Sequence, residues 1–217
     1  MAKASKTETQ RPAPRLYLVT PEIEDAAGFA RILSDVLGAA DVAAVLLRLK
    51  TADERTQINR IKTLAGVVQS TEVALVLDGM PELAARGGAD GAHLNGVESF
   101  MASAGALKPD RIAGCGGLDS RDDAMTAAEQ GADYVLFGEP DNGGDRPSFE
   151  AILERVEWWA ELFQVPCVAF AANADEVGPL AAKGADFVAV QYVWDDPRGA
   201  KLAIADAASK LVVEVTA

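Results

Sequence analysis

Seven residues in this chain have types and spacings that could do chemistry together. Arg48 and Lys50 stand two apart after an apolar run, so on an extended chain both cations would face the same way. Asp78 follows the next such run, and His93, Asn95 and Glu98 follow the one after it. Two cations and two carboxylates converging on one opening could hold a magnesium–diphosphate unit. The competing reading makes Arg48 and Asp78 a rim ion pair. His93 could touch a ring at the end of its strand, or could be a hydrogen-bonded structural residue. Arg146 is the one cation in an acidic stretch, Glu139–Arg146.

The elements that must position these residues alternate strictly. Candidate strands are Leu16–Thr20, Val42–Arg48, Val73–Leu77, Gly91–Leu94, Arg111–Gly114, Tyr134–Phe137, Cys167–Ala171 and Phe187–Val190. They are short and almost continuously apolar, as expected where both faces of a parallel sheet are covered. Helical patterns separate them: Ile23–Leu37, Asp53–Gln69, Pro81–Arg86, Val97–Leu107, Ser120–Gln130, Ser148–Phe163, Asp175–Lys183 and Ala200–Leu211. Ser120 and Ser148 suit N-caps, and Pro81 suits a first helical turn. The phrase Gly-Ala-Asp recurs at residues 88, 131 and 184, at intervals of 43 and 53 residues, or about two strand–helix units each. Its glycine suits the left-handed residue that closes a helix.

Eight such units predict a single (β/α)₈ barrel over residues 15–217, with active-site residues at the C-terminal ends of the strands. An open dinucleotide-binding sheet is disfavoured, because the turn after the first strand, Thr20-Pro21-Glu22-Ile23, lacks glycine. Residues 1–14 are polar and Pro-containing and predict a disordered arm.

Composition bounds the partners. Of 217 residues, 49% are hydrophobic, enough for a sizeable core. No apolar run approaches the roughly 18 residues of a membrane span, and no secretory leader is visible, so a cytoplasmic location is expected. A net charge of −13 without a basic cluster argues against nucleic acid and anionic membranes. Cys115 and Cys167 lack metal-type spacing and read as buried, reduced residues. Trp158 and Trp159, adjacent on a helix, cannot both face one core, which suggests a homodimer interface.

Several stretches carry a family resemblance. Leu16-Tyr17-Leu18-Val19-Thr20, the Arg48-x-Lys50 pair, Ala89-Asp90-Gly91-Ala92-His93-Leu94 and Gly131-Ala132-Asp133-Tyr134-Val135-Leu136-Phe137-Gly138 resemble thiamine-phosphate synthases in order and spacing. The thiazole tautomerases share this skeleton. The likeness runs from about Arg15 to Asp196. It implies a barrel that uses Mg²⁺ to couple an aminopyrimidine diphosphate with a thiazole phosphate, releasing diphosphate. By the same resemblance Asp78 and Glu98 would hold metal, and His93, Asn95 and Arg146 would meet a small phosphorylated substrate.

The chain departs from the family pattern in definite places. The Gln-x-Arg-x-Lys signature reads Leu46-Leu47-Arg48-Leu49-Lys50, and Asn-Asp-Arg reads Leu77-Asp78-Gly79. After the fifth strand stands Gly114-Cys115-Gly116-Gly117, without the family's serine or the tautomerase histidine. The Thr-x-Thr-Lys loop is replaced by the acidic Glu139–Arg146 stretch. Ala171-Ala172 stand where the family has Gly-Gly, and Tyr192 replaces serine, where its ring would fill a phosphate pocket. These changes keep three readings open: a divergent thiamine-phosphate synthase, a catalytically degenerate barrel that only binds or regulates, and a barrel with a different chemistry.

Overall fold

Side-chain oxygens start five of the helices. Asp25, Asp53, Ser120, Ser148 and Asn173 each accept a backbone N–H from the first turn that follows, and at Ser120 the bond is reciprocated by Asp123. Pro81 opens another. Between these helices the apolar runs form parallel strands. The computed structural model describes residues 12–141 and 143–211. Most of the expected arm, residues 1–11, lies outside them.

The strands are β1 (Arg15–Ile23), β2 (Val42–Leu49), β3 (Ala74–Asp78), β4 (Gly91–Asn95), β5 (Ile112–Gly116), β6 (Tyr134–Phe137), β7 (Cys167–Ala171) and β8 (Phe187–Val190). The intervening helices are α1 (Ala26–Leu37), α2 (Glu54–Gln69), α3 (Pro81–Gly87), α4 (Val97–Ser103), α5 (Arg121–Glu129), α6 (Phe149–Leu162), α7 (Ala174–Ala182) and α8 (Ala200–Ser209). Each strand pairs in parallel with the next, and β8 pairs with β1, closing the barrel. No helix is long and apolar enough to cross a membrane among the described residues.

Alternation along the strands sorts the side chains into two cores. Tyr17, Val19, Ala44, Leu46, Val76, Tyr134, Leu136, Val168, Phe170 and Ala189 fill the barrel, while their neighbours pack outward beneath the helices. Continuing the inner set two residues towards the strand ends leads to Arg48, Asp78, Gly138, Ala172 and Gln191. The mouth is therefore addressed by the same period of two that fills the core.

The first strand runs further than expected. The sequence predicts helix from Ile23, but β1 continues through Pro21 to Ile23, pairing Glu22 with Arg48 and Ile23 with Leu49 after a register shift. Proline cannot donate to the ladder, and a bulge is where a strand tolerates it. The groups left over are satisfied locally. The Arg48 N–H donates to Thr20 Oγ1 at 3.0 Å, and the Val19 carbonyl accepts from Trp194 Nε1 at 2.7 Å.

The recurring Gly-Ala-Asp has one structural job at the opposite end. Gly88, Gly131 and Gly184 have φ of 79°, 91° and 93° and end their helices. Each aspartate then clamps the preceding strand in its chain: its backbone N–H donates to, and its carboxylate accepts from, one residue there. The partners are Leu75 for Asp90, Ala113 for Asp133 and Cys167 for Asp186, with carboxylate bonds of 2.7, 2.7 and 2.8 Å. Asp90→Ala is expected to lower unfolding stability by about 2 kcal/mol, the typical net worth of a hydrogen bond to a charged group, read from urea denaturation.

Candidate functional site at the barrel mouth

Two adjoining cavities open at the C-terminal ends of the strands. One, of about 530 Å³, is lined by Glu22, Arg48, Asp78, Asn95, Asp141 and Gln191 among others. Its neighbour, of about 560 Å³, includes Asn95, Gly117, Leu136, Glu139, Arg146 and Arg155. Asn95, Pro140 and Asp141 border both, so the two form one divided mouth.

Arg48 is the fixed cation of the first cavity. Its Nε donates to Asp78 Oδ2 at 3.0 Å, and a terminal nitrogen donates to Gln191 Oε1 at 2.8 Å. Both carboxylate and guanidinium stay partly exposed, which leaves donors for a ligand. The rim ion pair weighed from the sequence is thus present, and it lines a cavity. Gln191, which the sequence reading passed over, lies on the inner set of β8 and orients Arg48 from across β1.

The other predicted residues scatter. Lys50 does not enter the mouth: it follows the end of β2 at Leu49 and lines neither cavity. Its side chain is 58% exposed and pairs with Glu24 at 2.7 Å. Glu98 is exposed on the first turn of α4 and lines neither cavity. Asn95 borders both cavities. Arg146 lines the second, but its guanidinium is committed to Glu176 at 3.0 Å. Tyr192 also lines neither cavity. It packs against the outer core, and burial, together with Asp206 and Asp196, pushes its hydroxyl pKa up to about 12.

His93 is sealed beneath the mouth, with no exposed surface. Its Nδ1 lies 3.0 Å from the Tyr134 hydroxyl, which lies 2.7 Å from the Tyr17 hydroxyl. Its Nε2 faces Glu139 Oε2 at 3.4 Å, an ion-pair distance, while Glu139 Oε1 accepts the Gly117 N–H at 2.6 Å. Burial by itself would raise the Glu139 pKa. His93, the Gly117 N–H and Arg48 outweigh that and hold it below the ordinary 4.5. Burial raises the pKa of Tyr17 and Tyr134 and keeps both neutral.

The glycines of β5 make this pair possible. A Cβ on Gly114 would strike the Tyr134 ring, and one on Gly116 would strike Glu139 Oε1 and lie 2.5 Å from His93 Nε2. The sequence offered a signal for Glu139 in these alternate glycines, which point inward where bulky residues are usual. The acidic stretch is likewise less repulsive than its composition suggests. Asp141 Oδ1 accepts the N–H groups of Gly143 and Asp145 at 2.7 and 2.9 Å.

Cys115 and Cys167 are both buried, and burial, with Glu139 and Asp123, pushes Cys115 up to about 12. Trp159 is fully buried and stacks on Phe163. Trp158 is covered within the chain by Arg121, 4.7 Å from its ring centroid, and by Phe163, so it gives no argument for a second copy.

Among the described residues, no group of three His, Cys, Asp or Glu side chains is arranged to hold a metal. A magnesium ion carried on a diphosphate needs less, since one or two carboxylates and the phosphate oxygens commonly suffice. Asp78, on the cavity wall, meets that requirement and Glu98 does not.

A closed parallel barrel with a fixed guanidinium, a carboxylate and a carboxamide around its C-terminal mouth defines a (β/α)₈ protein with a polar cavity at the usual active-site end. The family model described as thiamine monophosphate synthase matches residues 16–192. A thiamine-phosphate synthase of Rhodospirillum centenum is 43% identical over 197 residues, covering 88% of this chain and 95% of that protein. One of Hyphomonas neptunium is 37% identical, covering 91% and 95%. In fold, the chain superposes on a thiamine phosphate pyrophosphorylase from Pyrococcus furiosus with a TM-score of 0.75 at 20% identity, covering 91% of this chain and 95% of that one. The chain belongs to the thiamine monophosphate synthase family.

Two outcomes test the buried pair. A group whose folded pKa is depressed stabilises the protein above its unfolded value and loses that contribution as pH falls through the folded one. Glu139→Gln should therefore flatten the loss of stability below about pH 4.5, followed by urea midpoints at successive pH values. Gly116→Ala should destabilise by about 1–3 kcal/mol through overpacking, measured at pH 7.

Proposed function

We propose that this chain couples an aminopyrimidine diphosphate to a thiazole phosphate, giving thiamine phosphate and diphosphate. Family membership supports the reading. The observation that carries it is the Arg48 guanidinium, held over the first cavity by Asp78 and Gln191. In such a coupling the bond from the pyrimidine methylene carbon to diphosphate oxygen breaks, and a bond from the thiazole nitrogen to that carbon forms. Charge gathers on the departing oxygens, where a pre-oriented guanidinium stabilises it without reorganising. Magnesium held through Asp78 would supply further neutralisation of the leaving diphosphate.

The remaining residues position and seal. Asn95 carries both donor and acceptor groups between the two cavities, which suits the edge of an aminopyrimidine. His93 and Glu139 form the floor beneath it rather than ligands of their own. A second reading, in which the barrel binds a phosphorylated ligand without turnover, draws on one observation: Lys50 and Arg146 are both neutralised by carboxylates of their own chain.

The coupling assay with both substrates and Mg²⁺ separates the two. Product from the unaltered protein, reduced about 10²–10³-fold in kcat/KM by Arg48→Ala and abolished by Asp78→Ala, is the expected outcome. No product from folded, unaltered protein would support binding without turnover.

A further inference from the structure

A single carboxylate oxygen at the β7–α7 junction gathers an unusual share of donors. Glu176 Oε2 accepts from both terminal nitrogens of Arg146, at 3.0 Å each, and from the Ala172 N–H at 2.9 Å. Both side chains are largely enclosed, with 17% and 14% of their surfaces exposed. The other oxygen, Oε1, is met by Asn173 Nδ2 at 3.4 Å. Arg146 Nε is buried and has no hydrogen-bond partner among the described residues. A planar carboxylate thus leaves the guanidinium under-used, where a tetrahedral anion with more oxygens could engage further donors. The arrangement borders the second mouth cavity through Arg146.

We propose that Glu176 is the resident anion of an oxyanion site made by Arg146 and the Ala172 N–H, and that it sets what the second cavity accepts. A phosphoryl group reaches these donors only when the Glu176 side chain withdraws. Until then Arg146 is paired with a carboxylate of its own chain, and phosphate must displace that carboxylate to bind. That the natural competitor is a phosphorylated substrate rests on the proposed function; the self-occupied site itself does not.

The test uses inorganic phosphate and the full chain, by calorimetric titration and by the shift of the melting temperature. Glu176→Gln keeps the side-chain volume and an acceptor for Ala172 while freeing the charge of Arg146. It should bind phosphate at least ten-fold more tightly than the unaltered protein and gain thermal stability from it, whereas the unaltered protein gains little. Adding Arg146→Gln to that variant should remove the gain. Glu176→Ser should behave like Glu176→Gln, and serves if the glutamine variant folds poorly. Equal phosphate affinity in the unaltered and Glu176-substituted proteins overturns the proposal, as does a gain that survives Arg146→Gln. Absence of coupling activity would overturn the proposed function alone, and unchanged phosphate affinity this inference alone.

Discussion

Burying the Glu139 carboxylate in the throat of a parallel barrel constrains everything near it. An ionised group out of water must have partners, and here they are His93 and the Gly117 N–H. His93 in turn must be held, which Tyr134 and Tyr17 do from the barrel interior. Room for the assembly must come from a neighbouring strand, so β5 carries glycine at 114 and 116. The chain must then bend sharply into Glu139, which Gly138 permits at φ 83°. One buried charge thereby fixes residue types on β1, β4, β5 and β6.

The two ends of the barrel divide their labour. At the base, aspartates spend both their backbone and side-chain groups on a preceding strand, and the pattern repeats three times with little variation. At the mouth the carboxylates have dissimilar partners: a guanidinium for Asp78 and Glu176, a buried imidazole for Glu139, and backbone N–H groups for Asp141. Repetition serves stability, where every strand poses the same problem. Variety serves the mouth, where each residue faces different neighbours.

This division explains what could be read from the sequence. Eight apolar runs and the repeated Gly-Ala-Asp report short-range physics, so the strand count, the caps at Ser120 and Ser148 and the closed barrel were legible. Arg48, Asp78 and Asn95 were also legible, since they continue the alternation of their strands. Lys50 was not, because spacing cannot reveal that Glu24 holds its side chain at the rim. The extension of β1 through Pro21 depends on a bulge whose unpaired groups are satisfied by Thr20 and by the distant Trp194. Arg146 and Glu176 are 30 residues apart, and Arg48 and Gln191 are 143 apart. Nothing local announces such pairs. Composition made the Glu139–Arg146 stretch look hostile to anions, whereas geometry turns one of its carboxylates into the throat and another onto its own loop.

The Tyr17–Tyr134 contact has a topological corollary. These hydroxyls meet from β1 and β6, well apart around the wall, within a layer of Leu46, Val76, Leu136 and Val168. The bore is therefore stoppered partway down, and the barrel is a vessel with one opening rather than a tube. Whatever enters between Arg48 and Arg146 must leave by the same route.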